Sequence, residues 1–238
     1  MISVVIIAYN EEGTIDACLR AFLNKQTDEE YEVILVDNVS TDRTVKIAEK
    51  YLDQIPLRII HEVRKGRGAA RAAGFKDAKG EIIFSSDGDS IAPPRWIEKL
   101  VTTLRLHPTA VAVSGPCKIM DATPLTNILF NVIQPLSMHL YRFFVGHYWL
   151  TGSNFAIMRD AYEKAGGFDP AAPSFEDTEL EFRVKKIGKI QYVPCGVISS
   201  GRRFRGGFFG LLMGLLAYPW TWIVRFVLRR NVDLSDVR

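Results

Sequence analysis

Cysteine is scarce and scattered. The 238 residues hold three, Cys18, Cys117 and Cys195, and no two stand at metal-ligand spacing. That excludes a disulfide framework and a zinc ribbon, and suits a reducing compartment. The three thiols read as small core residues. A surplus of either charge is also missing. Thirty Lys+Arg against 27 Asp+Glu leave a net charge of +3, too little for a general nucleic-acid binder. No Gly-Lys-Ser/Thr phosphate loop occurs, and no G-x-G-x-x-G follows the first apolar run. Fixed-period repeats and low-complexity tracts are absent. No basic region precedes the run Met1–Ile7, and Asn10, Glu11 and Glu12 follow it. The run therefore reads as a strand and not as a leader, and the expected compartment is the cytoplasm.

What the chain does have is a folding composition, 47% hydrophobic and 24% charged, in a length that fits one large domain with a short appendage. Strands are expected at 3–8, 32–36, 57–61 and 81–85. Helices are expected at 14–24, 41–51 and 68–78. Such alternation gives a parallel sheet with right-handed crossovers. Ligands in such sheets bind beyond the carboxyl ends of the strands, so the loops to read are 9–13, 37–42, 64–68 and 87–90. Further along, 124–150 is apolar and aromatic with Pro135 interrupting it. A returning strand is expected at 151–158 and a helix opening on acids at 174–187. Residues 206–224 hold no charge and lie between arginines 202, 203, 205 and 225, 229, 230.

Four loops carry chemistry. Asp87-Gly88-Asp89 sets two carboxylates around a glycine at a strand end, a pattern for a hard divalent cation or for a solvated turn. Asp37, ending the second strand, can accept from a base N–H, while Ser40 to Asp42 suit a helix cap. Lys65, Arg67 and Arg71, spaced by glycines at a helix start, form an anion cradle. Glu176 and Asp177 open a helix, where an acid is either a general base or a partner for the helix dipole. His139 and His147, within 124–150, read as packed rings.

Taken in order, these segments resemble a family 2 glycosyltransferase of the GT-A fold. The matching runs are Val5–Glu12, Val36–Thr44, Lys65–Arg71, Gly80–Asp89, Gly152–Arg159, Gly166–Asp169, Glu176–Leu180 and Gly188. The resemblance spans roughly residues 2 to 204. The chain departs from the family pattern at Ala8, usually Pro, and at Asn38, usually Asp. The resemblance implies that Ala8, Tyr9, Glu11 and Asp37 hold the nucleoside, with Lys65, Arg67 and Arg71 near ribose or phosphate. Asp87 would touch ribose or metal beside Gly88, and Asp89 would bind a divalent ion, Mg²⁺ or Mn²⁺. Asp177 would be the base, with Gly152, Ser153, Asn154 and Glu176 on the acceptor side. Arg202 and Arg203 would meet the diphosphate or flank a membrane segment.

The implied domain layout is a catalytic unit at 1–204 and an apolar segment at 205–238. The implied reaction moves a sugar, with inversion, from a nucleotide sugar (UDP favoured) to a hydroxyl of a lipid-linked or cell-envelope glycan. Rival readings are a polyprenyl-phosphate sugar synthase and a silent nucleotide-sugar-binding scaffold. Residues 206–224 are expected to be an interfacial or re-entrant helix at the cytoplasmic membrane face, with a single span as runner-up. Gly206, Gly210 and Gly214 offer a homodimer interface instead.

Overall fold

A computed structural model describes residues 1–172 and 175–204. Four parallel strands open the chain: β1 (Ile2–Ala8), β2 (Tyr31–Asp37), β3 (Leu57–His61) and β4 (Ile82–Asp87). Between them run α1 (Ile15–Arg20), α2 (Thr44–Ala48) and α3 (Arg67–Asp77). All seven residues of β1 are buried, which is why its sequence does not alternate. A strand with helices on both faces has no wet side. The helix on one of those faces needs a smooth surface. A Cβ on Gly74 of α3 would stand 2.3 Å from Val5 and 2.8 Å from Val36, so glycine there allows α3 to seat on β1 and β2.

The second half adds β5 (Ser90–Ile91), α4 (Trp96–Leu106), β6 (Ala110–Ser114), β7 (Cys117–Lys118) and α5 (Pro124–Val145). Then come β8 (Phe155–Met158), α6 (Arg159–Lys164), α7 (Glu176–Val184), β9 (Lys189–Tyr192) and β10 (Val197–Ser199). The main sheet has the order β3-β2-β1-β4-β8-β6-β9. Only β8 is antiparallel to its neighbours, β4 and β6. A small sheet, β5-β10-β7, stands beside it. The register pairs Ala8 with Asp37, Asp37 with His61 and Ile7 with Asp87. The carboxyl ends of all four opening strands therefore meet at one edge.

Pro135 does not break its segment. α5 runs through it, because the ends are fixed elsewhere. Thr123 caps the first turn by accepting from the Thr126 N–H, Pro124 occupies the first turn, and Gly146 closes the helix at φ +91°. Both halves are also anchored, Phe130 on the Phe204 ring and Met138 in the core. These contacts outweigh the one backbone hydrogen bond that proline removes. Among the described residues no helix is long and apolar enough to cross a membrane. The expected membrane-associated helix at 206–224, and the appendage at 205–238 as a whole, lie outside the described residues.

Candidate functional site

The strand ends border an open cleft. Ala8, Tyr9, Glu11, Arg67, Asp87, Gly88, Asp89 and Arg202 line it. Lys65 reaches its rim, donating to the Tyr9 hydroxyl at 3.0 Å with its ammonium 4.5 Å from the ring centre. Asp37 is 5% exposed. It accepts from the Ser40 N–H at 3.2 Å and faces His61 Nδ1 at 3.2 Å, which fixes the carboxylate at the end of β2.

The loops that meet here are tied to one another more than to their own helices. Ser40 accepts from the Asn10 N–H at 3.0 Å, and Asp42 accepts from the Glu12 N–H at 3.1 Å. Asp42 also holds Thr44 through its N–H, at 2.9 Å, and its hydroxyl. The side chains expected to cap α2 thus join the first loop to the second. Asn38 has a similar duty. Its amide donates to the Glu62 and Arg64 carbonyls at 3.0 and 2.8 Å, and its oxygen accepts from the Gly66 N–H at 2.8 Å. An ionised carboxylate has no hydrogen to give those carbonyls. The departure from Asp at this position therefore has a local use, holding the loop that leads into α3. It also means that the Gly66 N–H is spent on Asn38, so the anion cradle rests on the cations Lys65 and Arg67.

The acid pair splits between two guanidinium groups. Arg202 binds Glu11 through both terminal nitrogens and approaches Asp89 at 3.2 Å. Glu11 in turn accepts from the Thr14 hydroxyl at 2.8 Å. Asp87 accepts from Arg71 at 2.5 Å. Arg71 is 2% exposed, donates to Ser85 Oγ at 3.1 Å and pairs with Glu176, itself 2% exposed. Arg67 stands 3.8 Å from the same Glu176 oxygen. One buried guanidinium therefore couples the Asp87 side of the cleft to the opening turn of α7. Asp87 and Asp89 supply hard oxygen donors at the cleft, which suits a cation completed by phosphate oxygens. Among the described residues no group of three His, Cys, Asp or Glu is arranged to hold a metal alone.

Asp177 follows Glu176. Burial pushes its carboxyl up to about 6, helped by the adjacent Glu176 charge and opposed by Arg71 and Arg67. One oxygen accepts from the Thr178 N–H at 2.8 Å. The other lies 3.0 Å from where a Cβ on Gly152 would stand, and Arg71 lies 2.8 Å from that same point. Glycine at 152 thus keeps the space beside the carboxylate and guanidinium clear. Its carbonyl accepts from Ser85 at 2.7 Å.

Ser153 is 8% exposed beside it, but Asn154 sits behind the site. It is fully buried, donates to the Pro116 and Cys195 carbonyls at 2.8 Å each, and accepts from the Trp96 indole at 2.8 Å. Its place is in the scaffold and not on the acceptor wall, because its hydrogen-bonding groups are already spent. Of Arg203 the side chain is outside the description.

Glu181, one turn beyond Asp177, was not legible as a functional residue. It is fully buried, and burial holds its carboxyl well above the usual range. It accepts from the Tyr141 hydroxyl at 2.5 Å and the Leu150 N–H at 2.8 Å, fixing the loop that carries Gly152. An acid at i+4 from Asp177 among buried helix positions was the available signal. The histidines pack as expected: His139 on Tyr148 and Tyr192, His147 on Tyr141 and Phe182.

The family description "Glycosyl transferase family 2" matches residues 3–166. A relative named "Probable glycosyltransferase YdaM", from Bacillus subtilis, is 32% identical over 211 residues. That match covers 82% of this chain but 49% of the relative, so the chain spans about half of its length. Among solved structures, Staphylococcus aureus TarS with UDP-GlcNAc aligns at TM-score 0.68 and 19% identity, over 84% of this chain and 58% of that one. A Pyrobaculum calidifontis mannosyltransferase with GDP-Man and Mn²⁺ aligns at TM-score 0.71 and 20% identity, over 98% and 65%. At such identities the structures establish a shared mixed α/β fold of the GT-A type.

Proposed function

Because the chain belongs to glycosyl transferase family 2, we propose that it transfers a sugar, with inversion, from a nucleoside-diphosphate sugar to a hydroxyl. UDP is the favoured nucleotide, and the acceptor is a lipid-linked or cell-envelope glycan presented at a membrane surface. The observation that carries this reading is Arg71. It ties the strand-end acids, where a diphosphate would lie, to the α7 turn that carries Asp177.

In this reading the nucleoside lies against Ala8, Tyr9 and Glu11, with Asp37 accepting from the base. Lys65 and Arg67 face ribose and phosphate. Asp87 and Asp89 would hold Mg²⁺ or Mn²⁺, which when bound stabilises the negative charge of the leaving diphosphate. Arg202 adds a fixed positive charge at the same edge. Asp177 takes the proton of the acceptor hydroxyl as its oxygen bonds to the anomeric carbon, while the bond from that carbon to the diphosphate breaks. A carboxyl near 6 is ionised at neutral pH yet basic enough to accept that proton. A phosphate acceptor would be ionised already and would need no base, so the placement of Asp177 favours a hydroxyl over a polyprenyl phosphate.

Water can stand in for the acceptor, which allows a test without knowing it. Proton NMR of the free sugar first released from an α-linked donor, read before mutarotation, should show the β-anomer. The α-anomer would overturn single displacement. Bound nucleotide with no turnover of UDP-, GDP- or TDP-sugars, by water or by extracted envelope lipid, would leave the scaffold reading.

A further inference from the structure

We infer that the outward face of α5 is a lipid-docking surface that lies in the plane of a bilayer. This rests on the membrane-surface reading above and assigns it to a described element. Leu125, Ile128, Val132, Leu136, Leu140 and Phe143 follow one another at steps of three or four, with Phe144 beside the last. They are 50–81% exposed. Steps of three and four place side chains on one helix face, so these residues form a single stripe, roughly 28 Å long at 1.5 Å per residue.

The stripe is surplus to folding. The opposite face of α5 already supplies the packing, with Met138 and Thr126 buried, Phe130 on Phe204 and Tyr141 on Glu181. A soluble surface rarely leaves so long an apolar row to water. The charge pattern points to lipid. Across its 22 residues α5 holds no acid, and its one formal charge is Arg142. A helix with one apolar face and no acid suits an interface with anionic headgroups, where its stripe sinks into the acyl boundary.

Two other covers are available, and one of them is the chain's own end. The described chain stops at Phe204, whose ring is 5.0 Å from Phe130, and the 19 residues 206–224 that follow almost at once hold no charge. That segment has no charged side to turn to water. Packing it on α5 would cover the stripe while adding comparable apolar surface of its own. A second copy would leave two such segments. A bilayer covers the stripe without adding apolar surface that itself needs a cover.

The docking face is also wired to the acceptor side. The last turns of α5 carry Tyr141, and the chain returns through residues 146–150 to Gly152. Glu181 accepts from both Tyr141 and the Leu150 N–H. Lipid contact along α5 would therefore hold the Gly152 loop, against which Asp177 packs, near the membrane surface.

The test uses the full chain with an environment-sensitive NBD label on Leu136→Cys or Phe143→Cys, in a Cys117→Ser background. Vesicles of phosphatidylethanolamine and phosphatidylglycerol are added. Both labels should shift their emission to the blue only with vesicles, and doxyl-labelled lipid should quench them. Leu136→Gln combined with Phe143→Gln and Phe144→Gln should weaken vesicle partition at least tenfold with Tm unchanged. Unshifted labels on protein that still sediments with vesicles would overturn the docking face and leave the membrane reading to the terminal segment. Labels already blue without vesicles would mean that the chain itself or a second copy covers the stripe. No sedimentation at all would overturn both readings, while nucleotide binding by the same preparation reports on the transferase reading separately.

Discussion

Asp177→Asn is expected to lower kcat about a thousandfold while leaving nucleotide affinity unchanged and raising stability. The first effect follows from removing a positioned base, which contributes roughly 10²–10⁴. The second follows because Asp177 is not among the residues that line the strand-end cleft, where the proposed function puts the nucleotide. The third follows from linkage. Folding moves this carboxyl from 3.8 up to about 6, so between those values the native state holds more protons than the unfolded one. Stability falls as pH rises through that window. At neutral pH the ionised Asp177 therefore costs on the order of 1–3 kcal/mol, which Asn does not. In the wild-type enzyme, kcat/KM should rise about tenfold per pH unit below about 6 and level off above it, and the variant's residual rate should lose that limb. Initial rates across pH 5–8 and urea melts at pH 7.5 check both halves. A variant with full activity would remove Asp177 from the mechanism and favour a phosphate acceptor.

Arg71→Met should cost more in stability than any other single change in the site, about 3–5 kcal/mol. Its guanidinium is the shared partner of Glu176 and Asp87 and also binds Ser85. Methionine fills much of the volume but removes the guanidinium beside Glu176, which is buried, and beside Asp87, which is partly exposed to the cleft. An uncompensated buried carboxylate favours its protonated form, so the deficit should shrink as the pH falls from 8 to 5. Urea melts at both values measure it. Equal losses at the two pH values would mean that the side chain acts by packing alone. Arg71→Lys should recover part of the stability but little of the transfer, because an ammonium cannot span Ser85, Asp87 and Glu176 at once.

The strand-end cleft was legible because each opening strand ends on a polar cluster and the parallel register brings those ends together. Asp37, Asp87 and Asp89 stand where strand–loop alternation puts them. The surroundings of Asp177 were less so. Asp177 was readable from the acids that open α7, but Glu181 depends on a backbone partner 31 residues away. The resemblance put Asn154 on the acceptor side, and only the fold shows it held between the Trp96 indole and two carbonyls. The antiparallel insertion of β8 between β4 and β6 also had no local signal, since a four-residue buried strand looks the same in either direction. Pro135 misled because helix continuity was decided by Thr123, Gly146 and packing, which outweigh one lost hydrogen bond. The apolar character of 124–150 was plain, but its division into a packed face and an exposed stripe required the tertiary structure.

A metal-assisted nucleotide-sugar site at the strand-end acids should bind its nucleotide only with the cation present. Calorimetric titration of the purified protein with UDP, GDP and TDP, with and without Mn²⁺, tests it most directly, with Asp89→Ala alongside. Metal-dependent binding of one nucleotide, UDP foremost, is expected, weakened at least tenfold in the folded variant. Folded protein that binds none of the three with metal present would contradict it.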